Sequence, residues 1–377
     1  MNARDKTPRT ALIGQVFPYR GGIAQYNTQL HRALTLNKAH ITLSFKKLYP
    51  KFLYPGASDI EVGAQGKKED NVDYLIHVYK PWSLYNTAAR IEEEDIDVAF
   101  LTWWTLIWQP GIAFLAWLLR RRGIKVVYIC HNVFDHDGSA FKKNISKHLL
   151  KYADGYVVHS TGDEKALKRY YPNKPMLNTK VLPVYDHYPM SKKQAVKRGR
   201  LEILFFGFIR PYKGLDDLVT ALAQLNDSTL FLTVVGESWI DPKELKAKLR
   251  NMGAPNVETQ LKYVDDEEAA FYFSRADIVA IPYRQDTASA VASLAFNYKK
   301  PLLGSNVEGI KDIIESNKTG WLVEPSSPES IAGILKKITR SDVEKMRPNI
   351  EKFCKEHSWD SMAEKLSAFA KAILQNS

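Results

Sequence analysis

The chain has 377 residues, 45% apolar and 25% charged, an ordinary globular balance and length enough for about two domains. Its formal charge of +11 and pI near 9.3 call for a partner with negative charge: nucleic acid, anionic lipid or a phosphorylated substrate. Two cysteines, Cys130 and Cys354, exclude a disulfide framework and lack metal-ligand spacing, which fits a reducing compartment.

MNARDKTPRT is polar and the following ALIGQVF only strand-length, so no secretory signal is expected. Thr10–Val16 reads as a strand, followed by the glycine pair of PYRGGIAQY and a helix to about Leu36; His40–Phe45 is a second strand. Pro50–Asp73 reads as an irregular connection and Ser83–Glu94 as a helix. Leu101–Leu119 would nearly span a bilayer, but Gln109-Pro110-Gly111 breaks it. We therefore expect a strand over Ile96–Leu101, a loop, and a helix after Pro110 in a soluble domain. Strands follow at Lys125–Cys130, Gly155–His159 and Lys180–Leu182, with helices over Lys143–Tyr152 and Asp163–Tyr170. Tyr188–Arg200 is basic and without apolar period, a linker. The alternation then restarts with strands at Ile203–Phe206, Leu230–Val235, Val257–Leu261, Ile278–Ile281 and Pro301–Leu303, and ends in two helices over Val343–Gln375 divided by HSWD. Repeated β–α alternation implies parallel sheets covered on both faces. The expected fold class is α/β, with two doubly wound Rossmann-like domains facing across a cleft.

In Leu201–Leu222 an apolar strand stops at Gly207, a loop carries Arg210, Pro211, Tyr212 and Lys213, and Gly214 opens an amphipathic helix. Cations where a strand's C-terminal end feeds a helix N-terminus suit an anion; a basic turn facing solvent is the equal alternative. Gly21-Gly22 would let backbone approach a phosphate, or simply close a tight turn. His131 ends a strand, where it would donate to a substrate hydroxyl or stabilise charge, or merely fix a loop. Asp135-His136-Asp137 offers hard oxygens for Mg²⁺ or Mn²⁺, or forms a solvated turn without a third carboxylate. After Pro282-Tyr283, the DTASAVASL stretch Asp286–Leu294 places small residues at a helix start, a second anion seat or a closely packed helix.

In order and spacing, PYRGGIAQY, HNVFDHD, ADGYVVHS, LFFGFIRPYKGLDDL, VVGE, ADIVAIPY, KKPLLGSNVEGIKDII, KTGWLVEP and the HSWD helix resemble the retaining glycosyltransferases of family 4, which have the B-type (GT-B) fold. The resemblance implies an N-terminal acceptor-binding domain over 1–188, a linker over 189–200, a nucleotide-sugar-binding domain over 201–354, and a helix over 355–377 returning to the N-terminal domain. It gives Arg210 and Lys213 the diphosphate of the donor, Gly21-Gly22 an approach to that diphosphate or the acceptor, and His131 a place near the sugar. Gly207 belongs to the same donor loop. Gly236 and the turn Lys262, Tyr263, Val264 fall where ribose and base are seated. Thr287, Ser289, Ala290 and Val291 fall at the loop contacting sugar and phosphate. The glutamates that many members carry at the Asp286 and Leu294 positions are absent, and the usual loop glycine is Ala290.

The activity so implied is retaining transfer of a sugar from a UDP-, GDP- or other nucleotide diphosphate sugar to a hydroxyl of a glycan, glycolipid or lipid-linked intermediate, with no bound metal or cofactor. The alternatives are an inactive sugar-nucleotide-binding homologue and a metal-dependent transferase using Asp135-His136-Asp137. Arg120–Arg122, Lys142 and Lys143 beside Trp103, Trp104, Trp108 and Trp117 fit contact with an anionic membrane surface; for any one of these residues a solvated basic face over core tryptophans is the commoner case. The expected location is cytoplasmic, with peripheral contact on the inner face of the membrane. No basic helix with interleaved aromatics supports nucleic-acid binding.

Overall fold

The computed structural model describes residues 7–36, 39–48, 59–61, 64, 66–134, 140–238, 240–285 and 289–375. The chain divides into two compact units, Met1–Thr179 with Trp359–Ser377, and Lys180–Ser358.

The first unit contains β1 (Thr10–Ile13), α1 (Gly22–Leu34), β2 (His40–Phe45), β3 (Val72–Ile76), α2 (Pro81–Glu93), β4 (Val98–Trp103) and α3 (Gln109–Arg121). It continues with β5 (Lys125–Cys130), α4 (Ala140–Leu150), β6 (Gly155–Val158), α5 (Thr161–Lys168) and β7 (Met176–Asn178). The strands form one parallel sheet in the order β3-β2-β1-β4-β5-β6-β7. Burial of the central strands explains their composition: Val126 to Cys130 are all 0% exposed, so β5 reads as a continuous apolar run instead of an alternation. The strand order reverses between β1 and β4, which opens a ligand-binding position at their C-terminal ends.

The second unit contains β8 (Leu201–Phe206), α6 (Leu215–Leu225), β9 (Leu230–Val235), α7 (Pro242–Asn251), β10 (Val257–Gln260), α8 (Asp266–Arg275) and β11 (Ile278–Ile281). It ends with α9 (Ala290–Asn297), β12 (Leu302–Ser305), β13 (Gly320–Val323), α10 (Pro328–Leu335) and α11 (Arg340–Glu356). Its parallel sheet runs β10-β9-β8-β11-β12-β13, so the order reverses between β8 and β11. Side-chain caps set several helix starts: Asp241 for α7, Asp265 for α8, and a Thr339–Asp342 capping box for α11. Residues 189–200 hold no helix or strand but lie along this unit, with Tyr298 donating to Pro189 O at 2.8 Å and Arg198 paired to Glu202 at 2.9 Å.

The last helix, α12 (Trp359–Gln375), returns to the first unit and packs on α1. Trp359, Met362, Leu366, Ala370 and Ile373 make its buried stripe, at roughly 1.5–3 kcal/mol for each large apolar side chain. A Cβ on Gly155 in β6 would lie 2.8 Å from Ile373 Cδ1 and 3.2 Å from Pro175 O, so α12 packs directly over this glycine.

The apolar run at Leu101–Leu119 is divided between β4 and α3 as expected, and among the described residues no helix is long and apolar enough to cross a membrane. Two local expectations are corrected, and one open reading is decided. Lys180–Leu182 is not a strand; the edge strand is Met176–Asn178, pairing with β6. Val72–Ile76 and Gly320–Val323 are strands that their mixed composition hid, β3 having one buried residue of its five. Trp103, Trp104 and Trp108 are 1%, 5% and 1% exposed, so none can meet lipid; only Trp117 of that group reaches the surface.

Candidate active site

The reversal point of the second sheet carries the cationic turn of Leu201–Leu222. β8 ends at Gly207 (φ +94°) and β9 at Gly236 (φ +145°). A Cβ on Gly236 would stand 2.0 Å from Gly207 O, so only glycine lets these strand ends touch. Gly207 N–H donates to Val235 O at 2.9 Å, and Gly236 N–H to Gln260 O at 3.0 Å. Pro211–Lys213 then makes one 3-10 turn, closed by Lys213 N–H donating to Arg210 O at 3.0 Å. Gly214, left-handed at φ +69°, ends that turn and caps α6.

Lys213 is 8% exposed, and among the described residues its ammonium has no hydrogen bond and no ion pair. Nζ stands 5.3 Å from the ring centroid of Tyr283, and a Cβ on Gly207 would be 3.5 Å from it. Burial holds its pKa below the ordinary lysine value; Tyr212 acts against that and Arg210 adds to it. The Arg210 guanidinium lies 5.8 Å from the Phe208 ring. Val291, in the first turn of α9, reaches the same spot, its Cγ2 3.4 Å from where a Gly207 Cβ would be. Ser289, the buried N-cap residue of α9, has its Oγ 3.3 Å from Tyr283 Oη. A buried cation and the start of α9 therefore converge on Gly207, and α6 starts directly after the turn.

Of the residues singled out in the sequence, Gly207, Lys213, Gly236, Ser289 and Val291 come together here, with Ala290 half-buried between the last two. Lys262 instead pairs with Glu268 at 3.2 Å in the turn after β10, where Tyr263 is 46% exposed and Val264 buried. Asp286 and Thr287 lie outside the described residues. Leu294 is buried in α9. Sequence reasoning missed Tyr283 and Arg284, although both directly follow a buried strand at the ligand-binding edge. Arg284 forks Asp217, donating from Nε to Oδ2 at 2.7 Å and from Nη2 to Oδ1 at 2.6 Å.

In the first unit Gly21 (φ +107°) precedes α1 and Gly22 begins it, with open space around both. His131 follows β5 and donates its backbone N–H to Trp103 O at 3.0 Å. Its ring stands edge-on to Tyr26 (4.6 Å, 83°) and beside His159 (5.5 Å). Although the residue keeps some exposed surface, Nε2 is buried and makes no hydrogen bond among the described residues. Burial, then the neighbouring His159, push its pKa well down, so the imidazole is neutral at pH 7 and cannot stabilise charge as a cation. His159, overlooked in the sequence, is itself lowered to about 3 by burial, and its Nδ1 is 2.8 Å from Thr179 Oγ1. Trp359 of α12 packs on Tyr26 at 5.2 Å. Asp135-His136-Asp137 lie outside the described residues; among those described, no group of three or more His, Cys, Asp or Glu is placed to hold a metal.

Residues 20–181 match the family model described as Glycosyltransferase Family 4, and residues 189–367 that described as Glycosyl transferases group 1. A glycosyltransferase structure from Rickettsia africae superposes with a TM-score of 0.73 at 17% identity, covering 99% of this chain and 100% of that one. Anabaena Alr3699/HepE in complex with UDP superposes with a TM-score of 0.70 at 13% identity, covering 97% and 100%. The chain has the GT-B fold.

Among curated relatives, a GDP-mannose:glycolipid 4-beta-D-mannosyltransferase of Xanthomonas campestris is 26% identical over 220 residues, which cover 58% of this chain and 60% of that protein. A D-inositol 3-phosphate glycosyltransferase of Corynebacterium glutamicum is 24% identical over 320 residues, covering 76% and 75%. The match to the mannosyltransferase thus spans about three-fifths of its length. The strand-end glycines and cationic turn described above lie within the group 1 segment of the fold, and His131 lies within the family 4 segment.

Proposed function

We propose that this chain transfers a sugar from a nucleotide diphosphate sugar to a hydroxyl acceptor, with retention of configuration and without a bound metal. The observation that carries the reading is Lys213, a buried ammonium with no carboxylate partner among the described residues, beside the start of α9. A buried charge is costly unless something pairs with it, and a diphosphate is the partner this place would accept. GT-B neighbours crystallised with UDP and UDP-glucose, and a relative named for GDP-mannose, support the donor class.

In this reading the bond from the anomeric carbon to the phosphate oxygen breaks, and its electron pair leaves with the nucleoside diphosphate. Arg210 and Lys213 offset the charge that develops on that oxygen. The acceptor hydroxyl forms its new bond on the face the phosphate leaves, which gives retention, and its proton passes to a phosphate oxygen. His131, neutral, hydrogen-bonds a sugar hydroxyl. Gly236 and Lys262–Val264 seat ribose and base, and Gly21-Gly22 let backbone approach phosphate or acceptor. A thermal-shift panel of UDP, GDP, ADP and their sugars, with and without EDTA, tests this. We expect one base series to raise Tm by several degrees, unchanged by chelator. No shift with any of them sinks the donor site; a shift that EDTA removes transfers the reading to metal-assisted chemistry.

The acceptor we propose is a glycolipid or lipid-linked glycan at the cytoplasmic face of a membrane, in line with the relative named for a glycolipid. The surface that favours it is the outward face of α3, where Phe114 and Trp117 are 39% and 37% exposed and stacked at 5.7 Å, with Arg121 5.0 Å over Trp117. A groove of about 330 Å³ continues it past Arg120, Lys125 and Tyr152. Sedimentation with phosphatidylglycerol vesicles should carry the protein down, and Phe114→Ala/Trp117→Ala/Arg121→Glu should leave it in the supernatant. Equal pelleting of both forms removes this face from the proposal.

A further inference from the structure

We propose that the segment Pro282-Tyr283-Arg284, directly after β11, is the positioning device of the cationic turn, fixing where Lys213 presents its ammonium group. The inference rests on reading that turn as a diphosphate clamp. The segment touches the turn residue by residue. Gly214 closes so tightly on Pro282 that a Cβ would stand 2.0 Å from its carbonyl oxygen. The Tyr283 ring carries the Lys213 ammonium at 5.3 Å. Arg284 donates its backbone N–H to Tyr212 O at 2.7 Å and its Nη1 to Pro211 O at 3.3 Å. The remaining fork of the same guanidinium grips both oxygens of Asp217, in the first turn of α6.

The chemistry of the pair says how Arg284 acts. Asp217 takes the forked side of the guanidinium, in a bidentate pair whose carboxylate is 11% exposed. Arg284 is thereby committed to α6 and the turn, and reaches a ligand only through Lys213. Such support is needed because a lysine stem is flexible and its ammonium gains by swinging into water. Only a turn pinned on both sides keeps the ammonium buried and aimed at Gly207. Tyr283 extends the device to the other anion-facing element, since its hydroxyl stands 3.3 Å from Ser289 Oγ at the α9 N-cap. One tripeptide thus sets the lysine and the α9 start in register.

Isothermal titration with UDP and GDP as probes tests this on the full chain, comparing wild type with Arg284→Ala, Arg284→Lys, Asp217→Ala and the Asp217→Ala/Arg284→Ala double variant. Arg284→Ala should weaken diphosphate binding by roughly 10–100-fold through misplacement alone. The double variant should bind no worse than the weaker single one, because both remove the same pair. Arg284→Lys should recover little, since an ammonium cannot span Asp217 and Pro211 O together. The decisive readout is the alkaline limb of binding. Lys213 is faced by Arg210 and Tyr212 from its own turn and by Tyr283 from beneath, and Tyr283 is held up to about 12 by burial. The wild-type limb should therefore report Lys213, below the ordinary lysine range, and should move to higher pH in Arg284→Ala as the ammonium regains water. Wild-type affinity in Arg284→Ala overturns the proposal, as does a loss of affinity with the alkaline limb unmoved. Wild type that binds neither diphosphate sinks the clamp reading beneath it, so the two failures are read separately.

Discussion

Lys213→Met should abolish stabilisation by nucleoside diphosphates and lower turnover by roughly 10²–10³-fold, the range for losing one preorganised charge-stabilising group, yet it should raise the Tm of the ligand-free protein. The opposite signs follow from one fact, a buried ammonium without a partner among the described residues. Its folded pKa is below the ordinary lysine value, so the native state holds this proton less tightly than the unfolded chain does. The charge therefore costs stability at neutral pH, and the cost fades as pH rises through the folded pKa. Methionine keeps the length of the stem and removes the charge. Each kcal/mol so regained should appear as roughly 2–4 °C in a unit of this size. Scanning fluorimetry with and without UDP and GDP reads both effects. His131→Phe is the informative contrast: it keeps the packing on Tyr26 and removes the ring nitrogens, so diphosphate stabilisation should survive while turnover falls. Near-normal turnover in Lys213→Met would return the turn to a basic surface loop.

Gly236→Ala is expected to be the most damaging single-methyl change in the second unit. The new Cβ would stand 2.0 Å from Gly207 O, a backbone atom that cannot swing aside, at a φ of +145° that L residues rarely adopt. Overpacking and backbone strain together should cost about 2–4 kcal/mol, a fall in Tm of roughly 5–15 °C. Because the clash pushes Gly207 away from Lys213 and α9, diphosphate affinity should fall further than stability alone explains. Gly22→Ala is the control: it begins a helix with open space around it and should stay within about 0.5 kcal/mol of wild type. Wild-type melting in Gly236→Ala would mean that the two strand ends do not meet as described.

The sheets were legible because buried parallel strands leave an unmistakable mark: KVVYIC and LEILFF can hardly be anything else. The edge strands of the first sheet were not, since β3 and β7 are half-exposed and their residues satisfy no single pattern. The cationic turn was visible as a motif, but not that Lys213 would be buried while Lys262, just after another strand, pairs with Glu268. That difference depends on what packs above each lysine, here Tyr283 and the Gly207 bend, and on partners such as Arg284 and Asp217 that are 67 residues apart in the chain. Likewise His131 was found by its place at a strand end. Its neutrality could not be, because it comes from burial and then from His159, with Tyr26 packed against the ring, and those neighbours sit on a strand end and a helix elsewhere in the sequence. The tryptophans were open between a membrane-facing surface and the core, and folding put Trp103, Trp104 and Trp108 inside and left Trp117 at the surface.

The most direct test is a crystal structure with bound UDP or GDP, whichever stabilises the protein. A phosphate oxygen within ~3 Å of Lys213 Nζ, beside Gly207 and the first turn of α9, is the predicted result. A diphosphate bound away from that turn, with the Lys213 ammonium still unpaired, would contradict the account.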